Sequence, residues 1–161
     1  MDKSKIKKTK KNFFSYEWCK GKRIAFDFFS TKIGMVDKRN FPTAFFPIVG
    51  LFAEDCNFKL KKCYSSMQRF FVGGYSKGEE CELMLRYGGY CNELVVARIE
   101  FIHKRQGKMT ELYRILKMIQ KEYKTGKIII ESVETDEMEN WCIKNGFVED
   151  QNRSKCFIDT K

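Results

Sequence analysis

The chain has 161 residues, of which 43% are hydrophobic and 32% charged, with a formal net charge of +10. That length suits one domain with a sizeable core, and the composition excludes a disordered chain. No apolar run approaches the roughly 20 residues needed to span a bilayer, so a cytoplasmic protein without membrane contact is expected.

The start, MDKSKIKKTKKNFFSYEW, is basic but lacks an apolar run of signal-peptide length and a small-residue cleavage site. Residues 1–12 are expected to form a flexible tail and residues 13–161 a single domain. The tail carries Lys3, Lys5, Lys7, Lys8, Lys10 and Lys11. Such a run is either solvated or contacts RNA or another polyanion. Further positive charge at Lys20, Lys22, Arg23, Lys59, Lys61 and Lys62 favours phosphate-bearing ligands in general. Seven cysteines, at 19, 56, 63, 81, 91, 142 and 156, form no C-x-x-C pair, and His103 is the only histidine. No metal site is expected from that spacing, and the cysteines read as reduced thiols.

Two aromatic runs, 13–18 and 23–29, flank a turn at Cys19-Lys20-Gly21-Lys22. They fit a hairpin, although the first run also fits a helix. Between Asn40 and Phe71 one or two short helices are expected. Pro42 suits a first helical turn, whereas Pro47 would interrupt a helix already begun. The cluster Phe45, Phe46, Ile48, Leu51 and Phe52 is either core or pocket lining. Gly73-Gly74 and Gly78 mark a loop. Residues 82–87 and 93–102 form two strands around Gly88-Gly89, with Val95, Ala97, Ile99 and Phe101 on one face. Leu94, Val96, Arg98, Glu100 and Ile102 take the other face, which places two charges on a strand that reads as central.

A helix follows over 108–124. Leu112, Ile115, Leu116, Ile119 and Tyr123 recur on its buried side, and Gly126 reads as its C-cap. Lys127 to Val133 is a β-branched strand of the kind covered on both faces. Strand, helix and strand of this length imply a right-handed crossover between parallel strands. A helix beginning near Asp136, with Glu139 as its capping-box partner, presents Met138, Trp141, Cys142 and Asn145 on one face. Gly146 stops it, and 147–149 and 155–159 make a terminal strand pair.

Residues 93–147 resemble the acetyl-coenzyme A-binding core of the GNAT N-acetyltransferase superfamily. Two segments carry the resemblance. Lys104-Arg105-Gln106-Gly107-Lys108-Met109 stands where the family has Arg/Gln-x-x-Gly-x-Gly/Ala. Met138 to Phe147 (MENWCIKNGF) stands where it ends in A-x-x-(F/L)-Y-x-K-x-G-F. Met109 replaces the second small residue, Lys104 the leading Arg/Gln, and Cys142 the family's tyrosine.

The resemblance implies an α/β (α+β) fold: a mixed, mostly antiparallel twisted sheet with a central parallel strand pair, flanked by helices. It further implies transfer of an acetyl group from acetyl-CoA to a primary amine. The acceptor would be a small amine, a protein amine or an aminoacyl-tRNA, and the chain a monomer or homodimer. Glu100 is the first candidate base and Glu131 the second, with a salt bridge to a neighbour the other reading of Glu100. Cys142 reads either as proton donor to the thiolate or as core packing. Phe101, Ile102, His103, Lys104, Arg105, Gln106, Gly107, Lys108, Met109 and Thr110 are the implied coenzyme contacts. Backbone N–H groups near Ile102 would polarise the thioester, and those of 107–110 would hold the pyrophosphate. The alternative is an inactive scaffold that binds nucleic acid or an acidic protein through its basic surface.

Overall fold

The computed structural model describes residues 18–20 and 40–161. The expected tail over 1–12 and the aromatic run at 23–29 lie outside them. Trp18–Lys20, expected at the end of a hairpin arm and in its turn, instead forms strand β1 and pairs antiparallel with β2 (Asn40–Pro42). A short 3-10 turn at Thr43–Phe45 leads into α1 (Phe46–Asp55). The two prolines thus exchange the roles expected of them. Pro47 lies in the first turn of α1, where its missing N–H costs nothing, and Pro42 ends β2. The rest of the expected helical region is strand, because Leu60–Ser66 and Arg69–Ser76 form β3 and β4.

The main sheet has seven strands, adding β5 (Glu79–Gly88), β6 (Glu93–Glu100), β7 (Ile128–Ile130), β8 (Phe147–Glu149) and β9 (Phe157–Asp159). Its order is β3-β4-β5-β6-β7-β9-β8. All neighbours are antiparallel except β6 and β7, which run parallel with Leu94, Val95 and Val96 opposite Ile128, Ile129 and Ile130. This is the expected mixed, mostly antiparallel sheet with a central parallel pair. The crossover between the parallel strands is α2 (Lys108–Tyr123), and α3 (Asp136–Lys144) precedes β8. The strand expected over Lys127 to Val133 is shorter, because β7 has three residues rather than seven.

Gly73 and Gly74 are not loop residues. They lie inside β4, where another backbone passes close by: a Cβ on Gly73 would sit 2.4 Å from the Cys81 carbonyl oxygen, and one on Gly74 2.3 Å from that of Lys59. Only Gly78, with φ +81°, serves the turn between β4 and β5. Gly126 likewise owes its place to close approach, 2.3 Å from a virtual Cβ to the Cys91 oxygen. The left-handed C-cap of α2 is Lys124. The cap of α3 is Thr135, whose hydroxyl accepts from the Met138 N–H at 3.2 Å, one residue before the expected Asp136.

The faces of β6 differ from the strict alternation expected. Met84 pairs with Arg98 and Leu85 with Val96, so Ala97 has no partner. This bulge shifts the alternation by one residue. Leu94 and Val96 before it, and Ile99 and Phe101 after it, all turn to the main core, while Val95 joins Ile129, Cys156 and Ile158 on the opposite face. Arg98 and Glu100 point outward, so no charge is buried on this strand.

The core lies between the sheet and the helices. The α1 helix is buried from Ile48 to Ala53 and packs on β3, β4, β5 and α2. On α2, Leu112, Ile115, Leu116 and Ile119 are buried. Asp159 ties β9 to α2: its buried carboxylate accepts from Tyr113 Oη at 2.9 Å and pairs with Lys117 at 3.1 Å. Burial and the adjacent Asp159 carboxylate push the Tyr113 hydroxyl up to about 12. Cys56, Cys63, Cys81, Cys91, Cys142 and Cys156 are free thiols, and no described helix is long and apolar enough to cross a membrane.

The close approach at β4 predicts that Gly73→Ala loses roughly 2–4 kcal/mol in urea unfolding, because backbone must move. Gly78→Ala, in open space with left-handed backbone, loses only about 1 kcal/mol. Equal losses at the two positions would contradict the packing described.

Candidate functional site

The parallel pairing ends where the bulge begins. The last bond between the two segments is Glu131 N–H to the Val96 oxygen at 2.9 Å; Val133 N–H then turns to the Lys155 oxygen at 3.1 Å. Ser132 between them takes a positive φ of 55°. The strands part, and a cleft of about 470 Å³ opens between them. One wall is the end of β6 and the start of α2, including Ile99, Glu100, Phe101, Gly107 and Met109. The other is Ser132, Glu134 and the first turns of α3, including Met138 and Trp141.

The loop between β6 and α2 is fixed at both ends. Arg105 and Gly107 both have left-handed backbone, with φ 59° and 73°. Gly107 is the N-cap of α2, no side chain caps that helix, and nothing lies within 4 Å of where a Gly107 Cβ would stand. The Lys108, Met109 and Thr110 end of a 16-residue helix is therefore open to the cleft. Met109 also packs partly against the core. Two of the loop cations are engaged: Lys104 pairs with Glu100 at 2.7 Å and Arg105 with Glu137 of α3 at 2.5 Å. The Glu100 carboxylate raises the Lys104 ammonium above its ordinary value. Lys108 has no ion pair among the described residues.

At the upstream end, Asp55 closes α1 with a fully buried carboxylate. It accepts the N–H of Ile102 at 2.7 Å and of His103 at 3.0 Å, and its Oδ1 lies 3.0 Å from His103 Nδ1. The Ile102 N–H, expected to face a thioester carbonyl, is thus committed to Asp55. Trp141 is held against the other wall of the cleft mouth: its Nε1–H donates to Thr110 Oγ1 at 3.1 Å, and its ring meets Tyr113 edge-on at 5.6 Å.

The structure brings together Glu100, Phe101, His103, Lys104, Arg105, Gly107, Lys108, Met109 and Thr110 on this cleft. Ile102 and Gln106 do not line it. Glu131 stands apart from it, bonded to Arg86 at 2.5 Å with Arg153 at 3.7 Å. Cys142 is fully buried in the core, and its desolvation, with Glu139 nearby, pushes the thiol up to about 12. Sequence reasoning missed Asp55, Ser132, Glu134, Thr135 and Glu137. Only Thr135, ahead of an acidic helix start, carried a readable signal. Among the described residues no group of three or more His, Cys, Asp or Glu is placed to hold a metal ion.

No family model matches the sequence, and no curated protein does. Among solved structures, the chain is similar to the crystal structure of PaiA N-acetyltransferase from Thermoplasma acidophilum in complex with coenzyme A, at 16% identity and a TM-score of 0.42. The match covers 56% of this chain and 58% of that one.

A thiol raised to about 12 is almost wholly protonated below pH 10. Iodoacetamide at pH 8 is therefore expected to label exposed Cys91 in the native protein and to leave Cys142 unlabelled until denaturant is added, as read by peptide mass mapping. Native labelling of Cys142 would show that it reaches solvent.

Proposed function

We propose that the chain is an N-acetyltransferase that moves an acetyl group from acetyl-CoA to a primary amine, with the coenzyme held in the cleft between β6 and β7. One observation carries this reading: Gly107, left-handed and with open space around it, at the uncapped start of α2 on the cleft wall. A helix start leaves N–H groups and partial positive charge that suit a pyrophosphate. The N–H groups of Lys108, Met109 and Thr110 and the Lys108 ammonium are the donors available there. A glycine without a neighbour at its Cβ keeps their approach clear. The residues present therefore fit the group.

Acetyl-CoA supplies an acyl carbon already activated as a thioester. The chain has to bind it, shield it and manage protons. Ile99, Phe101, Met138 and Trp141 give the cleft apolar walls. An amine is protonated at neutral pH, so a group on the cleft must take its proton before attack. Of the three expected catalytic side chains, Glu100 is the one on the cleft, half exposed, and its pairing with Lys104 matches the salt-bridge reading rather than that of a free base. Cys142 is fully buried, and its thiol, pushed up to about 12, is a weaker acid than an ordinary thiol near 8.5, which favours its reading as core packing. The acceptor amine belongs to a small molecule, a protein or an aminoacyl-tRNA. The net charge of +10 favours a polyanionic carrier.

The Asp55 contacts support a second reading. With the Ile102 and His103 N–H groups taken, the scaffold would bind coenzyme, or a polyanion on its basic surface, without turnover.

Calorimetric titration with acetyl-CoA is expected to show micromolar binding. Gly107→Trp, which fills the open space and strains a left-handed position, should weaken it at least about tenfold. An unchanged Kd in that variant, or no binding by the parent, would contradict the proposed placement. Thiol release with an amine present separates the two readings.

A further inference from the structure

Glu100 and His103 both line the cleft, but their surroundings differ. Glu100 is engaged by Lys104 at 2.7 Å. His103 is held from behind by Asp55, a fully buried carboxylate on another element. An ionised carboxylate only accepts hydrogen bonds, so the ring nitrogen facing it, Nδ1 at 3.0 Å, carries the hydrogen. In the neutral ring that leaves the lone pair on Nε2. The side chain is 46% exposed, and Nε2 has no protein partner among the described residues. The same carboxylate fixes the backbone on which the ring is mounted, through the N–H groups of Ile102 and His103. A base oriented by a buried acid is the arrangement that activates a nucleophile in hydrolytic and transfer enzymes.

We infer that His103 is the catalytic general base of this site, with Asp55 as its positioning residue. The inference rests on the acetyl-transfer reading above. The acceptor ammonium gives one proton to Nε2 and keeps the electron pair on nitrogen. That pair forms the C–N bond to the thioester carbonyl carbon as the C–S bond breaks. Sulfur leaves with the C–S electron pair and takes the second nitrogen proton to become the thiol. The imidazolium returns its proton to water. The charged groups that share the cleft with the ring are Glu100 at the end of β6, Lys104 and Arg105 in the loop after it, Lys108 at the start of α2, and Glu134 and Glu137 on the opposite wall, with Asp55 of α1 behind the ring.

Because His103 is the only histidine, a long-range ¹H–¹⁵N spectrum of the histidine-labelled full chain reads this ring alone and needs no turnover. The expected neutral form carries its hydrogen on Nδ1, and Asp55→Asn should lose that preference. An Nε2–H tautomer in the parent would overturn the inference. In turnover, His103→Gln should lower kcat about 100-fold or more, leave KM for acetyl-CoA within about threefold, and remove the acid limb of the kcat/KM profile. Glu100→Gln should keep that limb. Should Asp55→Asn fail to fold, the parent spectrum and His103→Gln decide. A limb retained in His103→Gln sinks the inference and leaves the acetyl-transfer reading standing. Absence of acetyl-CoA binding by the parent removes the acetyl-transfer reading and this one with it.

Discussion

The unpaired residue Ala97 is the constraint on which the site depends. Without it, β6 would alternate cleanly, and Ile99 and Phe101 would face away from the core that Leu94 and Val96 help to build. With it, apolar residues on both sides of the bulge reach one core, and Arg98 and Glu100 turn outward. A bulge also bends its strand and raises its twist. Here the bend coincides with the last bond between β6 and the β7 segment. Two parallel strands that are joined at one end and parted at the other leave a wedge of space in mid-sheet. The helix that connects them begins at the edge of that wedge, and its first N–H groups have no intrahelical partner to satisfy.

A second constraint is the placement of a charge where charges are expensive. Burying a carboxylate costs several kcal/mol unless it is paired and hydrogen-bonded. Asp55 meets that cost with two backbone donors and an imidazole. In return it ties the end of α1 to the loop that leaves β6, two elements nearly 50 residues apart in the chain. The cleft wall is therefore built on a fixed loop. The same bonds make His103 differ from a solvated surface histidine. They also divert two N–H groups from any role toward substrate, so polarisation of a bound carbonyl falls to other donors on the cleft.

Much of the fold was legible in the chain because local patterns agreed with the tertiary result. The α2 helix shows its buried side in Leu112, Ile115, Leu116 and Ile119, and the strands around Gly88-Gly89 are readable from turn chemistry. The failures have physical causes. A bulge leaves no mark on sequence periodicity beyond a small residue, so the faces of β6 were assigned by strict alternation. Gly73, Gly74 and Gly126 are glycines because of a passing backbone, a long-range fact that reads locally as a turn. Pro47 reads as a helix breaker until the helix start is known. At the site, the Gly107 loop was readable because its residues are contiguous. Asp55 was not, because its partners lie far along the chain and nothing in Glu54-Asp55-Cys56 distinguishes a buried acid from a solvated one. Cys142 was readable as core or catalyst, and its full burial places it in the core.

The proposed site would hold a phosphate-bearing coenzyme at the start of α2. Amide chemical-shift mapping of the uniformly labelled chain during titration with coenzyme A tests it most directly. With coenzyme at that helix start, the largest shifts are expected on the amides of Gly107, Lys108, Met109 and Thr110, with smaller ones on Phe101 and Trp141 along the cleft. Shifts confined to the basic surface away from this loop, or none at all, would contradict that placement.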